Sequence, residues 1–275
     1  MKNNSSVNII VLNWNGEKVI IDCLKSLNET NYKNKEIFVI DNASKDTSVE
    51  LIQNNFPNVK IVSFNKNYKY AKGYNLGFQK IENAEYTIFL NNDTIVSKDF
   101  IGFLINELKK DKSIIQVAPK ILYHKSNLIW FAGGKLNLLM GMIYHDGIRK
   151  EDGINFNKIK KIDFATGCCF AIRSNDFEKI GMFDESFDMY CEDVDLSLRI
   201  AKSGGKIHFV PKSRIYHNVS YSLGGQKSIK KILLKYKSRF FLVRKHKPFF
   251  FPIILIFLSI GFLLEFFFHT IGSSR

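Results

Sequence analysis

Short apolar runs, VNIIVL from Val7, EIFVI from Glu36 and YTIFL from Tyr86, recur between amphipathic stretches, and this alternation constrains the chain more than any other feature. A strand that is apolar on both faces has to be covered on both faces, so the pattern predicts a mostly parallel sheet with helices on either side. Helical periodicity falls around Val19 to Leu27, Ser48 to Asn54 and Ala71 to Ile81, with a further strand signal, VKIVSF, before the last of these. The expected fold class is α/β and Rossmann-like. With 275 residues and 45% hydrophobic content, the chain can bury one large core or a catalytic domain plus an appendage.

Sheets of this kind bind ligands beyond the carboxyl ends of their strands. Polar clusters stand there: NWNG after the first strand, DNASKDTS after the second, NKNYKYAKGYNLG after the third and NNDT after the fourth. From about Lys120 the pattern loosens, with Gly133, Gly134, Gly141 and Gly147 among aromatic residues, as in a hairpin-rich region or an acceptor loop. A strand signal returns at Phe164 to Arg173. A helix at Val194 to Ala201 places Val194, Leu198 and Ala201 on one face, and a strand comes after it around Ile207 to Val210.

The net charge of +14 is unevenly placed. Up to Leu198, 25 basic residues balance 25 acidic ones; beyond it, 15 basic residues face a single acid, Glu265. Such a patch suits nucleic acid, a membrane surface or a solvated face. The apolar segment after it favours the membrane. FFFPIILIFLSIGFLLEFFF, from Phe249 to Phe268, supplies the roughly 20 residues a bilayer-crossing helix needs, interrupted only by Pro252 and Glu265. The nine Lys and Arg between Lys227 and Lys247, with no acid among them, read as a cytoplasmic flank able to contact anionic lipid. A buried hairpin or a dimer helix is the competing reading, kept open by Glu265. Nucleic-acid binding is disfavoured, because its basic residues would alternate with exposed aromatics on the neutral domain. The expected organisation is a catalytic domain over 1–222, a basic helical connector over 223–248 and an apolar membrane-associated segment over 249–271. MKNNSSVNII lacks a signal-peptide layout, so the catalytic part is expected in the cytoplasm. Cys23, Cys168, Cys169 and Cys191 show no metal-ligand spacing and read as reduced, partly buried thiols.

Asp41 closes the apolar run IFVID, where a carboxylate needs hydrogen-bond donors. A base or ribose in the cleft would supply them, and so would the adjoining turn, with Ser44 and Asp46 as capping residues. For Asp46 capping is the better reading. Asn91, Asn92 and Asp93 fall at the same sheet edge, where an acidic oxygen can hold a divalent cation that bridges phosphates. Six carboxylates lie between Asp184 and Asp195. Glu192 and Asp193 open the expected helix, where first-turn acids are ordinary, but six exceed what capping uses. An ionised carboxylate there can take a proton from an attacking hydroxyl. His217, by itself, is more often structural or a surface residue than a ligand.

Taken in order, IIVLNWNG, VIDNASKDTS, NKNYKYAKGYNLG, FLNNDTIV, ATGCCFAIRSNDFEKIGMFDESFDMYCEDVDLSLRI and YHNVSYS resemble the inverting family-2 glycosyltransferases of GT-A fold, particularly the bacterial rhamnosyltransferase and galactofuranosyltransferase branch. The resemblance covers roughly Val7 to Ser222. It implies a GT-A domain, here succeeded by a membrane-associated helical tail. It further implies that Asp41 contacts the base of a nucleotide-sugar donor and that Asn13, Lys72, Gly73, Asn92 and Asp93 line the nucleotide. Asp93 and His217 would be the protein ligands of Mg2+ or Mn2+, Asp193 the catalytic base and Glu192 a seat for the acceptor. Asn-Asn-Asp replaces the family's Asp-x-Asp, so the first metal-facing carboxylate is missing and His217 becomes more necessary. The implied activity moves rhamnose from dTDP-rhamnose, or alternatively galactofuranose or another hexose from UDP. The acceptor would be a glycan or polyprenyl-linked molecule at the cytoplasmic face of the cell membrane, in surface polysaccharide synthesis, with a homodimer possible. A nucleotidyltransferase is poorly supported, since NWNGEKV offers one Gly and one Lys for a phosphate loop.

Overall fold

From the N-terminus, β1 (Val7–Asn13), α1 (Ile20–Asn28), β2 (Lys35–Asp41), α2 (Ser48–Asn55), β3 (Lys60–Ser63), α3 (Lys69–Lys80) and β4 (Tyr86–Asn91) alternate strand and helix as the periodicity requires. The structure is a computed structural model describing residues 5–219 and 229–272; Ser222 and the domain boundary expected beside it lie outside the described residues. β1 runs parallel to β2 and β4, and β2 parallel to β3. The register sets Asn13 opposite Asp41 and Leu12 opposite Asn91, so three strand ends share one edge. Gly77 lets α3 settle on β2, because a Cβ there would come within 2.6 Å of Ile40.

The sheet continues through β5 (Thr94–Val96), α4 (Phe100–Lys110), β6 (Ile114–Tyr123) and β7 (Ile129–Phe131). The irregular stretch holds a separate hairpin, β8 (Gly134–Asn137) and β9 (Met142–His145), and then the short β10 (Lys160–Lys161). β11 (Cys169–Arg173), α5 (Ser174–Lys179), α6 (Glu192–Lys202) and β12 (Lys206–His217) complete the domain. β11 is antiparallel between β4 and β6, while β12 is parallel to β6 and antiparallel to β5 and β10. The sheet is thus parallel at its N-terminal side and mixed beyond.

Three sequence expectations are corrected. The strand expected from Phe164 begins only at Cys169, and Phe164 instead makes an isolated bridge to Gly134 across the base of the hairpin. On α6 the buried stripe is Val194, Ser197 and Ile200, with Leu198 half-buried and Ala201 exposed. Ser197 replaces the expected Leu198 because its hydroxyl is satisfied inside, donating to Gln116 and accepting from the Ala165 amide. Finally, β12 does not stop at Val210. Pro211 is accommodated where the register with β6 shifts, and the strand resumes to His217.

The tail forms two helices, α7 (Ile229–His246) and α8 (Phe251–Gly272), packed antiparallel around Ile232, Tyr236, Val243, Ile254 and Leu258. Glu265 on α8 is paired with Lys235 on α7 at 2.9 Å. All four cysteines are buried and free.

Candidate active site

Strand-end chemistry is built first around Asn13. Its amide donates to Ser48 Oγ at 2.9 Å and to Asp41 Oδ1 at 3.3 Å, and its carbonyl accepts from Asn92 Nδ2 at 2.9 Å. Gly16 is required beside this contact, since a Cβ would lie 2.2 Å from Asn13 Oδ1. Asp41 is buried and also accepts from the Ser44 amide, so its turn partners are present. Asp46, one residue before the N-cap Thr47 of α2, accepts from the Ser48 and Glu17 amides, which is turn chemistry in place of the expected N-cap. Gly73 packs beneath Leu12 and Asn42. Lys72 is half-exposed and paired with Glu185 at 2.9 Å.

Asp93 lies after β4 in the turn before β5. Thr94 is the Cα partner of His217 across β5 and β12, and the Asn218 amide donates to the Asp93 carbonyl. The pairing brings His217 Nε2 to 3.2 Å from Asp93 Oδ1. Both side chains are buried, yet among the described residues Asp93 Oδ1 and His217 Nδ1 have no hydrogen-bond partner. A buried carboxylate oxygen left so costs about 1–3 kcal/mol or more. Neighbouring ligands on an octahedral ion at about 2.1 Å stand about 3 Å apart, which this spacing fits. Of the donor set, the carboxylate suits Mg2+ or Mn2+, whereas the imidazole favours a transition-metal ion, so the pair fits Mn2+ better than Mg2+. Among the described residues no group of three or more His, Cys, Asp or Glu side chains is arranged to hold a metal, and Asp93 and His217 are a pair.

Glu192 and Asp193 begin α6 after two consecutive left-handed residues, Tyr190 and Cys191, both with φ of 68°. Strained backbone of this kind is retained where it aims side chains. Burial, and then the Asp193 charge, push the Glu192 carboxyl up to about 8, and its Oε2 has no partner. Burial also raises Asp193, but the amides of Gly167, at 2.7 Å, and Val194, at 2.8 Å, pull it back. Two amide donors on Asp193 favour the charge of the pair on Asp193 over Glu192.

Three contributors were not singled out from the sequence. Gly167 donates its amide to Asp193 and its carbonyl accepts from the Tyr70 hydroxyl. Its missing side chain is needed, because a Cβ would meet Tyr70 Oη at 2.6 Å. The only sequence signal for this clamp was the position of Gly167 within ATGCC. Trp130 stands edge-on to His217, with ring centroids 4.6 Å apart, and also packs against His145. Burial lowers His145 to about 4, so it is a neutral wall beside the Asp93 and His217 pair.

The excess of acids has a second explanation besides chemistry. Asp184 pairs with Lys245, and Asp188 with Lys69 and Lys237. Asp195, fully buried, meets Arg199, Lys245 and His246. Burial pushes its carboxyl up, and His246, Lys245 and Arg199 more than offset this, holding it at about 2. Part of the basic patch is therefore spent in latching α7 onto the acidic segment.

The model of glycosyl transferase family 2 matches the chain over residues 8–181, which stops short of Glu192, Asp193 and His217. The sequence is 26% identical over 230 residues to rhamnosyltransferase WbbL of Escherichia coli (strain K12), covering 78% of this chain and 83% of that protein. It is 35% identical over 65 residues to an N-acetylglucosaminyl-diphospho-decaprenol L-rhamnosyltransferase of Mycobacterium tuberculosis, covering 24% of this chain and 21% of that one. In structure it is similar to the mannosyltransferase PcManGT from Pyrobaculum calidifontis in complex with GDP-Man and Mn2+. The TM-score there is 0.65 at 17% identity, over 91% of this chain and 68% of that one.

Proposed function

Because this chain belongs to glycosyl transferase family 2 and has the GT-A fold, we propose that it moves a hexose from a nucleotide diphosphate donor to a glycan or lipid-linked acceptor with inversion at the anomeric carbon. The observation that carries this reading is the approach of Asp93 and His217 at the sheet edge, with the Asp93 oxygen buried and unbonded.

Asp93 and His217 would hold Mg2+ or Mn2+, which supplies electrostatic stabilisation of the departing diphosphate. Asp41 and Asn13 face the base and ribose from the ends of β2 and β1, with Asn92, Lys72 and Gly73 completing the nucleotide side. Asp193, kept ionised by the Gly167 and Val194 amides, takes the proton of the acceptor hydroxyl as that oxygen attacks the sugar. Glu192, carrying its own proton, donates to an acceptor oxygen through Oε2, which has no hydrogen-bond partner among the described residues.

Rhamnose from dTDP-rhamnose is the first donor to test, in keeping with the relative in Escherichia coli. A polyprenyl diphosphate acceptor, as the mycobacterial relative's name specifies for that enzyme, agrees with an apolar C-terminal helix. The site of action is then the cytoplasmic face of the membrane, in surface polysaccharide synthesis. A screen of dTDP-, UDP- and GDP-sugars for nucleotide release, with and without Mn2+ and a polyprenyl-linked acceptor, tests the proposal. Metal-dependent release of dTDP supports it, release of UDP alone replaces the donor, and release from none defeats it.

A further inference from the structure

The helix α8 is long and apolar enough to cross a membrane, yet its two sides differ. Ile254 and Leu258 are 1% and 3% exposed and pack on α7, and Gly261 and Phe262 continue this stripe against Tyr236. Ile256 and Leu263 are 60% and 63% exposed, and Ile253, Ile260 and Leu264 lie with them on the opposite side. One side is covered by protein along about two and a half turns. Among the described residues nothing covers the other.

That cover on the inner side bears on how α8 meets a bilayer. α7 runs beside it and carries Lys231, Lys235, Lys237, Arg239 and Arg244, each costly at membrane depth. α7 is also tied to the catalytic domain, through Lys237 to Asp188 and Lys245 to Asp184 and Asp195. A crossing α8 has either to drag these charges into hydrocarbon or to abandon α7 and free Glu265 from Lys235. A helix lying in the interface does neither.

A second apolar element adjoins α8 on the side of Leu258. At the tip of the β8–β9 hairpin, Leu139, Met140 and Met142 are exposed, and Gly141 is pressed against Leu258 so closely that a Cβ would lie 2.5 Å away. Gly141 has φ of 62°, which the tight turn needs and glycine accepts freely. The hairpin tip therefore packs on α8 and leaves its own exposed apolar residues beside the helix. At the α7–α8 junction, Arg244 and Lys247 are exposed, which complements anionic headgroups.

We infer that α8 lies in the plane of an anionic bilayer surface, with the β8–β9 tip inserted beside it, and does not cross the bilayer. Such helices bury their apolar side about 5–10 Å deep. The inference rests on the reading of α8 as a membrane segment and deepens it, since the catalytic domain is then held at a fixed height above the lipid.

The full chain, carrying an environment-sensitive fluorophore at Ile253→Cys, Leu264→Cys or Met142→Cys, is bound to vesicles of phosphatidylcholine and phosphatidylglycerol. Depth is read by quenching with lipids spin-labelled at graded positions. All three positions are exposed, so the substitutions leave the core alone, and the four native cysteines are buried. The expected result is quenching of all three labels at one shallow depth. Labels at 253 and 264 differing by most of the roughly 16 Å that separates them along the helix would overturn the inference in favour of a crossing helix. An unquenched Met142→Cys label would remove the hairpin from the surface. No quenching of any label, with the protein sedimenting as a dimer, would assign the face to a second copy. Nucleotide release, measured on the same variants, reports separately on the transferase reading.

Discussion

His217 Nε2 stands 3.2 Å from Asp93 Oδ1 because Thr94 and His217 are partners across β5 and β12. Neither the turn after β4 nor the end of β12 makes this pair alone. The register shift after Val210 determines which residue of β12 reaches Asp93. With Asn91 in place of an acidic residue, the proposed cation site depends on the imidazole as its second protein ligand.

Asp93→Asn and His217→Ala are each expected to weaken metal-supported donor binding by about 10–100-fold or more, the loss seen on removing even an outer-shell metal partner. Calorimetric titration of the nucleotide diphosphate at varied Mn2+ measures this. Chelation of the wild-type protein should abolish transfer and Mn2+ should restore it. Unchanged metal dependence in both variants would sink the assignment.

Asp193→Asn is expected to reduce transfer by about 100-fold to 10,000-fold, the usual contribution of a general base, while donor binding stays near normal. Near-normal turnover would defeat the role given to Asp193.

Gly167→Ala places a methyl group against Tyr70 Oη and displaces the amide that holds Asp193. Turnover should fall with little change in donor KM. Adding Tyr70→Phe removes the hydroxyl in the way, so the double variant should recover part of the loss. If the two effects are simply additive, the clamp is not the cause.

Burial, with the Asp193 charge second, raises Glu192 from 4.5 to about 8. Between those values the native state holds a proton that the unfolded chain has released, so stability falls as pH rises through that window and levels off above it. Glu192→Gln should flatten this slope in thermal melts between pH 5 and 8.5, an interval about the window set by linkage. An unchanged slope would place the titration elsewhere.

Asp195 behaves oppositely. Its depressed carboxyl lends stability above the ordinary value of 3.8 that is lost as pH falls toward about 2. Asp195→Asn should cost about 2 kcal/mol by weakening charged hydrogen bonds to Lys245 and His246, seen as a lower denaturant midpoint at neutral pH. A midpoint equal to wild type would show that Asp195 contributes nothing to holding α7.

Much of the catalytic domain was legible because its strands are apolar on both faces and its polar clusters recur at their ends. Asn13, Asp41 and Asn92 could be placed together from that repetition, and the register confirms their shared edge. The acidic segment was legible as an excess but not in its division of labour. Asp184, Asp188 and Asp195 face lysines and a histidine on α7, tens of residues away, and no local pattern distinguishes them from Glu192 and Asp193.

The sequence by itself determined the α/β class, the strand-end positions of the polar residues and the family resemblance, since period and local composition encode these. Tertiary structure alone decided the partners. His217 reached Asp93 through a shifted strand register, Gly167 came between Tyr70 and Asp193, and a largely apolar helix acquired one covered side, marked in the sequence by Glu265 alone, and one bare side. Each depends on contacts between distant segments, which period and local composition do not encode.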